Sequence, residues 1–236
     1  MTDWAKFWIN EKDGFSSVMK ISTTLFFKKL DSHFKIRSSH KIMDFGCGPG
    51  FLVDHLVSRN AYVCGVDINP SYLEECRRKH LDMKLIEISP IVENVKTTLD
   101  QECGEQKFDF IIVLSIVQYL RDLDALETLV KSLTSFLANN GKIVIADVID
   151  VTTSAFKDTL TLAWHTLLSG EIIHFIKFIK YLFLSDYRKT IGTNKLMIFS
   201  EDEVRKIANK YLLECTKIKY LTMHPTRLNY VLSKVR

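Results

Sequence analysis

The sequence lacks several things whose absence narrows its function. It has no C-x-x-C pair. The cysteines at 47, 64, 76, 103 and 215 are odd in number and scattered. Neither a zinc cluster nor a disulfide framework is expected from that spacing, and no metal is assigned. They read as reduced, small apolar residues of a cytoplasmic protein. The first residues, MTDWAKFWINEKDG, mix charges of both signs and hold no apolar run, so no secretory signal is expected. The most apolar stretch, 172–184, is short and carries Lys177 and Lys180, too little to span a bilayer. Internal repeats, low-complexity tracts and linkers are also missing.

What is present is a chain of 236 residues, 47% hydrophobic and 25% charged, proportions of a globular domain. Its net charge of +4 is too mild to imply a nucleic-acid partner. That total conceals a segregation. Residues 41–150 sum to −6, and the flanking segments sum to +10.

Residues 42–46, 61–66, 83–88, 108–116 and 142–148 are short apolar runs, suited to strands buried on both faces of a parallel sheet. Helical periodicity lies between them. Leu52, Val53, Leu56 and Val57 form one face. Asn69-Pro70 is a helix start. Leu120, Leu123, Leu126, Val130, Leu133 and Leu137 predict a helix stopping near Asn140-Gly141. Alternation of this kind implies right-handed βαβ units and a doubly wound sheet. Residues 151–185 read as one or two helices, broken near Ser169-Gly170. Ser200 and Glu203 form a capping box. Residues 214–222 and 228–234 read as two antiparallel strands joined by a turn at Met223-His224-Pro225.

The segment KIMDFGCGPGFL, 41–52, carries the strongest signal. It reads D-x-G-x-G-x-G through Asp44, Gly46, Gly48 and Gly50. Glycines at a strand-to-helix turn permit positive φ and close approach to a ligand. The following helix start offers free N–H groups. Asp67 ends the second strand, where a carboxylate can accept from both ribose hydroxyls of a nucleoside cofactor. A nicotinamide fingerprint would place its third glycine at position 51, which is Phe51.

This arrangement resembles motif I of the class I S-adenosylmethionine-dependent methyltransferases of small-molecule type. FDFIIVLSIVQYL, 108–120, is similar to that family's fourth-strand motif, and LANNGKIVIAD, 137–147, to its fifth. The resemblance implies a seven-stranded Rossmann-like sheet, mostly parallel with an antiparallel C-terminal strand. It implies a single domain: an N-terminal helical lid (1–40), a cofactor-binding core (41–150), a helical cap (151–199), and a last helix and hairpin (200–236).

It also implies roles. The turn Gly46, Cys47, Gly48 and Gly50 would carry the methionine end of S-adenosylmethionine, leaving S-adenosylhomocysteine as product. Asp44 would anchor the ammonium, Asp67 the ribose, and Ile68 would lie against adenine. Ser89 stands where the family often has an acidic residue, so Glu87 or backbone groups are alternatives there. Leu114, Ser115 and Ile116 would line the sulfonium. Gln118 and Tyr119 occupy positions where related enzymes often carry histidines. Tyr119 and His165 are the catalytic candidates, with His174 and His224 behind them. Trp8, Gln118, Tyr119 and His165 are the substrate-side candidates.

The aromatic N-terminus (Trp4, Phe7, Trp8, Phe15, Phe26, Phe27) and EIIHFIKFIKYLFLSDYRK, 171–189, suit an apolar or aromatic acceptor. The latter segment fits a packed cap through Ile172, Ile173, Ile176, Ile179 and Phe183. It also fits an interfacial helix with Lys177, Lys180, Arg188 and Lys189 at lipid headgroups, or a dimer contact. The expected activity is methyl transfer to oxygen or nitrogen of a small molecule. The charge segregation favours a neutral-to-anionic acceptor. A membrane-docking lipid or quinone methyltransferase is the alternative, and a non-catalytic binding subunit of the same fold is the alternative from another class. Nucleic acid is disfavoured, since neither N-P-P-Y/F nor D-P-P-Y/F occurs. The chain is expected to be a cytoplasmic monomer or homodimer, with peripheral membrane contact left open.

Overall fold

The computed structural model describes residues 3–11, 16–168, 176, 179 and 195–235. Seven strands form one sheet in the order β3-β2-β1-β4-β5-β7-β6. They are β1 (Lys41–Phe45), β2 (Tyr62–Asp67), β3 (Lys84–Glu87), β4 (Phe108–Leu114), β5 (Leu137–Val148), β6 (Leu213–Lys217) and β7 (Leu228–Lys234). The first five pair in parallel, and β7 runs antiparallel to both β5 and β6. The α-helices bounded within the described residues are α1 (Asp3–Asn10), α2 (Ser16–Phe34), α3 (Phe51–Val57), α4 (Pro70–Lys79), α5 (Val95–Cys103), α6 (Leu123–Thr134), α7 (Ala155–Leu168) and α8 (Glu201–Lys210).

The apolar strands are covered on both faces because successive side chains point to opposite sides. Ile42, Ile112 and Val144 meet Phe26, Leu30, Leu52, Leu56 and Leu73 from α2, α3 and α4. Met43, Ile111 and Ile143 meet Leu99, Leu126, Val130, Leu133 and Ile207 from α5, α6 and α8. The central strands are therefore nearly continuous hydrophobic runs, as parallel strands require.

Local signals placed several boundaries. Asn69 Oδ1 accepts from Ser71 N and Tyr72 N, so α4 starts where Asn69-Pro70 implied. Ser200 and Glu203 form the reciprocal capping box of α8. Three expectations fail. The helix read through Leu137 ends at Thr134, and Leu137 pairs instead with Phe108. An apolar residue four beyond Leu133 fits a helix face or a strand start equally, and burial against β4 decides it. The strand read over 214–222 stops at Lys217. Leu221 and Met223 are buried without joining the sheet, in a connection much longer than the expected turn. The fourth strand also stops at Leu114, because Ser115 turns to φ 57°.

In the expected cap, α7 covers 155–168. The readings on Phe15 and on 169–194 lie outside the described residues, except that Ile176 and Ile179 are helical.

Candidate active site

A cavity of about 430 Å³ opens at the C-terminal ends of β1, β2, β4 and β5. That is within the roughly 300–1,000 Å³ of small-molecule sites, and the strand order reverses between β1 and β4 just there. Gly46 leaves β1 at φ 85°, and a Cβ there would lie 2.3 Å from Ile116 Cδ1. Only glycine fits. Gly46 N and Cys47 N both donate to Val66 O, at 2.7 and 3.0 Å, which ties the turn to the end of β2.

Two buried carboxylates face this turn. Asp67 Oδ2 accepts from Gly48 N at 2.7 Å, and its Oδ1 accepts from Asn69 N at 2.8 Å. Burial raises the Asp67 pKa, while backbone N–H groups of Asn69, Gly48 and Ile68 oppose the rise. Asp44 has no such support. Its Oδ2 is buried with no hydrogen-bond partner among the described residues. Burial, and then the charge of Asp67, push its pKa up to about 8. Two acids so close cannot both stay ionised cheaply, and a cationic ligand relieves both.

Most of the expected residues converge here. Asp44, Gly46, Cys47, Gly48, Asp67, Ile68, Leu114, Ser115, Ile116, Gln118, Tyr119 and Trp8 all line the cavity. Gly50 does not; it caps α3 at φ 91°, where a Cβ would lie 2.7 Å from Cys76 Sγ. Ser89 lies outside the wall, its hydroxyl accepting from Ile91 N at 3.2 Å, and Ile88 takes the wall position. Glu87 is exposed. Gln118 is buried, and its Nε2 donates to Ser115 O at 2.9 Å.

The N-terminal helix closes one side. Trp4 and Trp8 each place a ring centroid 5.1 Å from that of Tyr119. Asn69 Nδ2 donates to Trp8 O at 2.7 Å and to Glu11 O at 2.8 Å. One side chain thus caps α4 and holds the end of α1 over the cavity.

The histidine ranking by sequence is not the one the fold makes. His165 sits outside the cavity wall, where burial first, then the charges of Lys29 and His224, hold its imidazole below the usual pKa. His224 lines the wall instead, its Nδ1 buried and 3.9 Å from Asp158 Oδ1. Around it stands a cluster that sequence reading did not single out. Arg227 Nε donates to Asp158 Oδ2 at 2.7 Å, and Thr226 Oγ1 donates to Asp158 Oδ1 at 2.6 Å. Asp147 and Thr159 complete that side. Asp147 lies one residue before the end of β5, much as Asp67 ends β2, so its place near a strand end was a usable signal. Nothing local marks Asp158 or Arg227. Among the described residues no His, Cys, Asp and Glu cluster is arranged to hold a metal, and no helix is long and apolar enough to cross a membrane.

The family described as a methyltransferase domain matches residues 36–207. An O-methyltransferase of ubiquinone biosynthesis from Pasteurella multocida is 30% identical over 115 residues, which cover 46% of this chain and 46% of that protein. The chain thus spans about half the length of the curated relatives it matches. A TehB-like SAM-dependent methyltransferase from Corynebacterium glutamicum superposes with a TM-score of 0.57 at 16% identity, over 89% of this chain and 88% of that one. A magnesium protoporphyrin IX methyltransferase from Synechocystis, solved with bound SAH, gives 0.54 at 14% identity, over 98% and 92%. At these identities the superpositions establish the fold.

Proposed function

Because the chain belongs to the methyltransferase-domain family, we propose that it is an enzyme transferring the methyl group of S-adenosylmethionine to an oxygen or nitrogen of an apolar or aromatic small molecule. The observation that carries this reading is Asp44. A buried carboxylate oxygen without a partner, beside a second carboxylate and a glycine turn, fits a cationic nucleoside ligand.

In this reading Asp44 holds the methionine ammonium. Asp67 has lone pairs left after its bonds from Gly48 and Asn69, and these accept the ribose hydroxyls. Ile68 and Ile88 flank the adenine, so the acidic contact that Ser89 would have replaced gives way to an apolar one. Leu114, Ser115 and Ile116 line the reacting end. The bound sulfonium supplies an already activated methyl group. The task left to the chain is alignment and exclusion of water. Trp8 and Tyr119 serve the second, held down by Asn69. Calorimetry tests the assignment: S-adenosylmethionine and S-adenosylhomocysteine bind, and NADH does not. Tight NADH binding without either of them overturns it.

A second reading has a specific observation behind it. Leu160, Trp164, Leu167 and Leu168 stand exposed on α7, at helical spacing. Such a face suits docking on lipid, and the relative named for ubiquinone biosynthesis supports a quinone precursor as acceptor. Flotation with anionic vesicles at low salt reads this directly, and a protein that stays at the bottom of the gradient excludes it.

A further inference from the structure

The sheet order β2-β1-β4-β5 sets Asp67, Asp44, Ser115 and Asp147 in sequence across the mouth of one cavity. The first two belong to the cofactor half in the reading above. Ser115 follows the end of β4, and Asp147 lies one strand further, near the end of β5. Their neighbourhood is fixed by the register, which pairs Leu114 with Ala146 immediately before them.

Asp147 is held with care and left incomplete. Ser115 Oγ donates to its Oδ2 at 2.7 Å, and its own N–H donates to Asn229 Oδ1 at 3.1 Å. Both residues stand at positive φ, 57° for Ser115 and 66° for Asp147. That conformation is costly for residues with a Cβ, and it aims both side chains where plain strand continuation would not. Asp147 is only 8% exposed, yet its Oδ1 has no hydrogen-bond partner among the described residues. A buried carboxylate oxygen without a donor is destabilising, so its retention points to a ligand that supplies one.

The neighbouring charges say what kind. Arg227 is the arginine on this side among the described residues; its Nε is engaged by Asp158, and its charge also acts on Asp147 without a hydrogen bond to the free Oδ1. Asp147 and Asp158 outnumber it. The charge segregation along the sequence suggested a neutral-to-anionic acceptor; the assembled wall favours a hydrogen-bond donor that is neutral or cationic.

We propose that Asp147 is the acceptor-recognition carboxylate of this cavity, its Oδ1 taking the hydrogen of an acceptor hydroxyl or ammonium group and confining the acceptor to O–H- or N–H-bearing molecules. This rests on the cofactor reading given under Proposed function.

The test needs no acceptor in hand. Sinefungin carries an ammonium where the transferable methyl sits, and S-adenosylhomocysteine carries nothing there. Calorimetry gives the ratio of their dissociation constants. Wild-type protein is expected to prefer sinefungin by about tenfold, the scale of one charge-assisted hydrogen bond. In Asp147→Asn the preference falls to within about twofold of parity, and continued binding of S-adenosylhomocysteine shows that the variant is folded. A wild-type ratio near one, or a preference kept in Asp147→Asn, overturns the proposal while the cofactor reading stands. Should the variant fail to fold, the wild-type ratio decides by itself. If wild-type protein binds neither compound, the cofactor reading is what has failed, and this inference falls with it.

Discussion

The side-chain amide of Asn69 donates a 2.7 Å hydrogen bond to the carbonyl of Trp8, across most of the N-terminal third of the chain. Its oxygen meanwhile caps α4. These two functions separate by substitution. Asn69→Ala loses both, at an expected cost of about 1–2 kcal/mol for the cap alone. Asn69→Ser keeps a capping oxygen but cannot reach Trp8. The expected outcome is near-normal resistance to urea with weakened S-adenosylhomocysteine binding, read by calorimetry and by the fluorescence of the N-terminal tryptophans.

Asp44 makes the ligand-free protein sensitive to pH. Its folded-state pKa, about 8, lies above the 3.8 of an unperturbed carboxyl. The folded state therefore binds the extra proton. This contribution to stability is complete below pH 3.8 and is lost as pH rises through about 8. Melting temperature is expected to fall across that window, and Asp44→Asn should remove this part of the fall. A cationic ligand acts in the opposite sense, since it binds the ionised form. Cofactor affinity should rise toward pH 8, with proton release seen as a dependence of the calorimetric heat on buffer ionisation enthalpy.

Gly46→Ala meets Ile116 Cδ1 at 2.3 Å and forces an alanine to φ 85°. Strain at such a position is of order 1–3 kcal/mol. Ile116 lines the cavity, so relief by moving it deforms the site. Loss of cofactor binding beyond the loss of stability is expected, measured by calorimetry beside chemical denaturation.

Asp67→Ala removes the acceptor for Gly48 N and Asn69 N as well as any ribose contact. An affinity loss of roughly 1.5–3 kcal/mol for S-adenosylhomocysteine is expected, the scale for hydrogen bonds to a charged group. Unchanged affinity removes Asp67 from the site.

Arg227→Ala leaves Asp158 buried and unpaired, with one carboxylate oxygen still held by Thr226. Breaking a buried pair by deleting one partner costs about 3–5 kcal/mol. Because Asp158 lies on α7, the loss should appear first as amide exchange in that helix and later as global unfolding.

Features set by neighbours in the chain were legible before folding. Gly46 and Gly50 need left-handed backbone, and a D-x-G-x-G-x-G turn after an apolar run announces it. The Asn69 cap, the Ser200 and Glu203 box, and Asp67 at a strand end follow from spacing alone. The expected site residues do line one cavity, apart from Gly50, Ser89 and His165.

What the sequence could not decide is everything that depends on which distant segments meet. Leu137 fits a helix or a strand until Phe108 is beside it. His165 ranks ahead of His224 by sequence position, yet it is His224 that lines the cavity and His165 that lies outside its wall. Ser115 finds Asp147, and Asp158 finds Arg227, only through the order of strands and the path from β6 to β7. By itself the sequence determined the half of the cavity proposed to hold the cofactor, because a turn, a cap and a strand end are written in adjacent residues. Tertiary structure decided the half proposed to face the acceptor, because its hydrogen bonds join residues tens of positions apart, where packing and not local periodicity selects the partner.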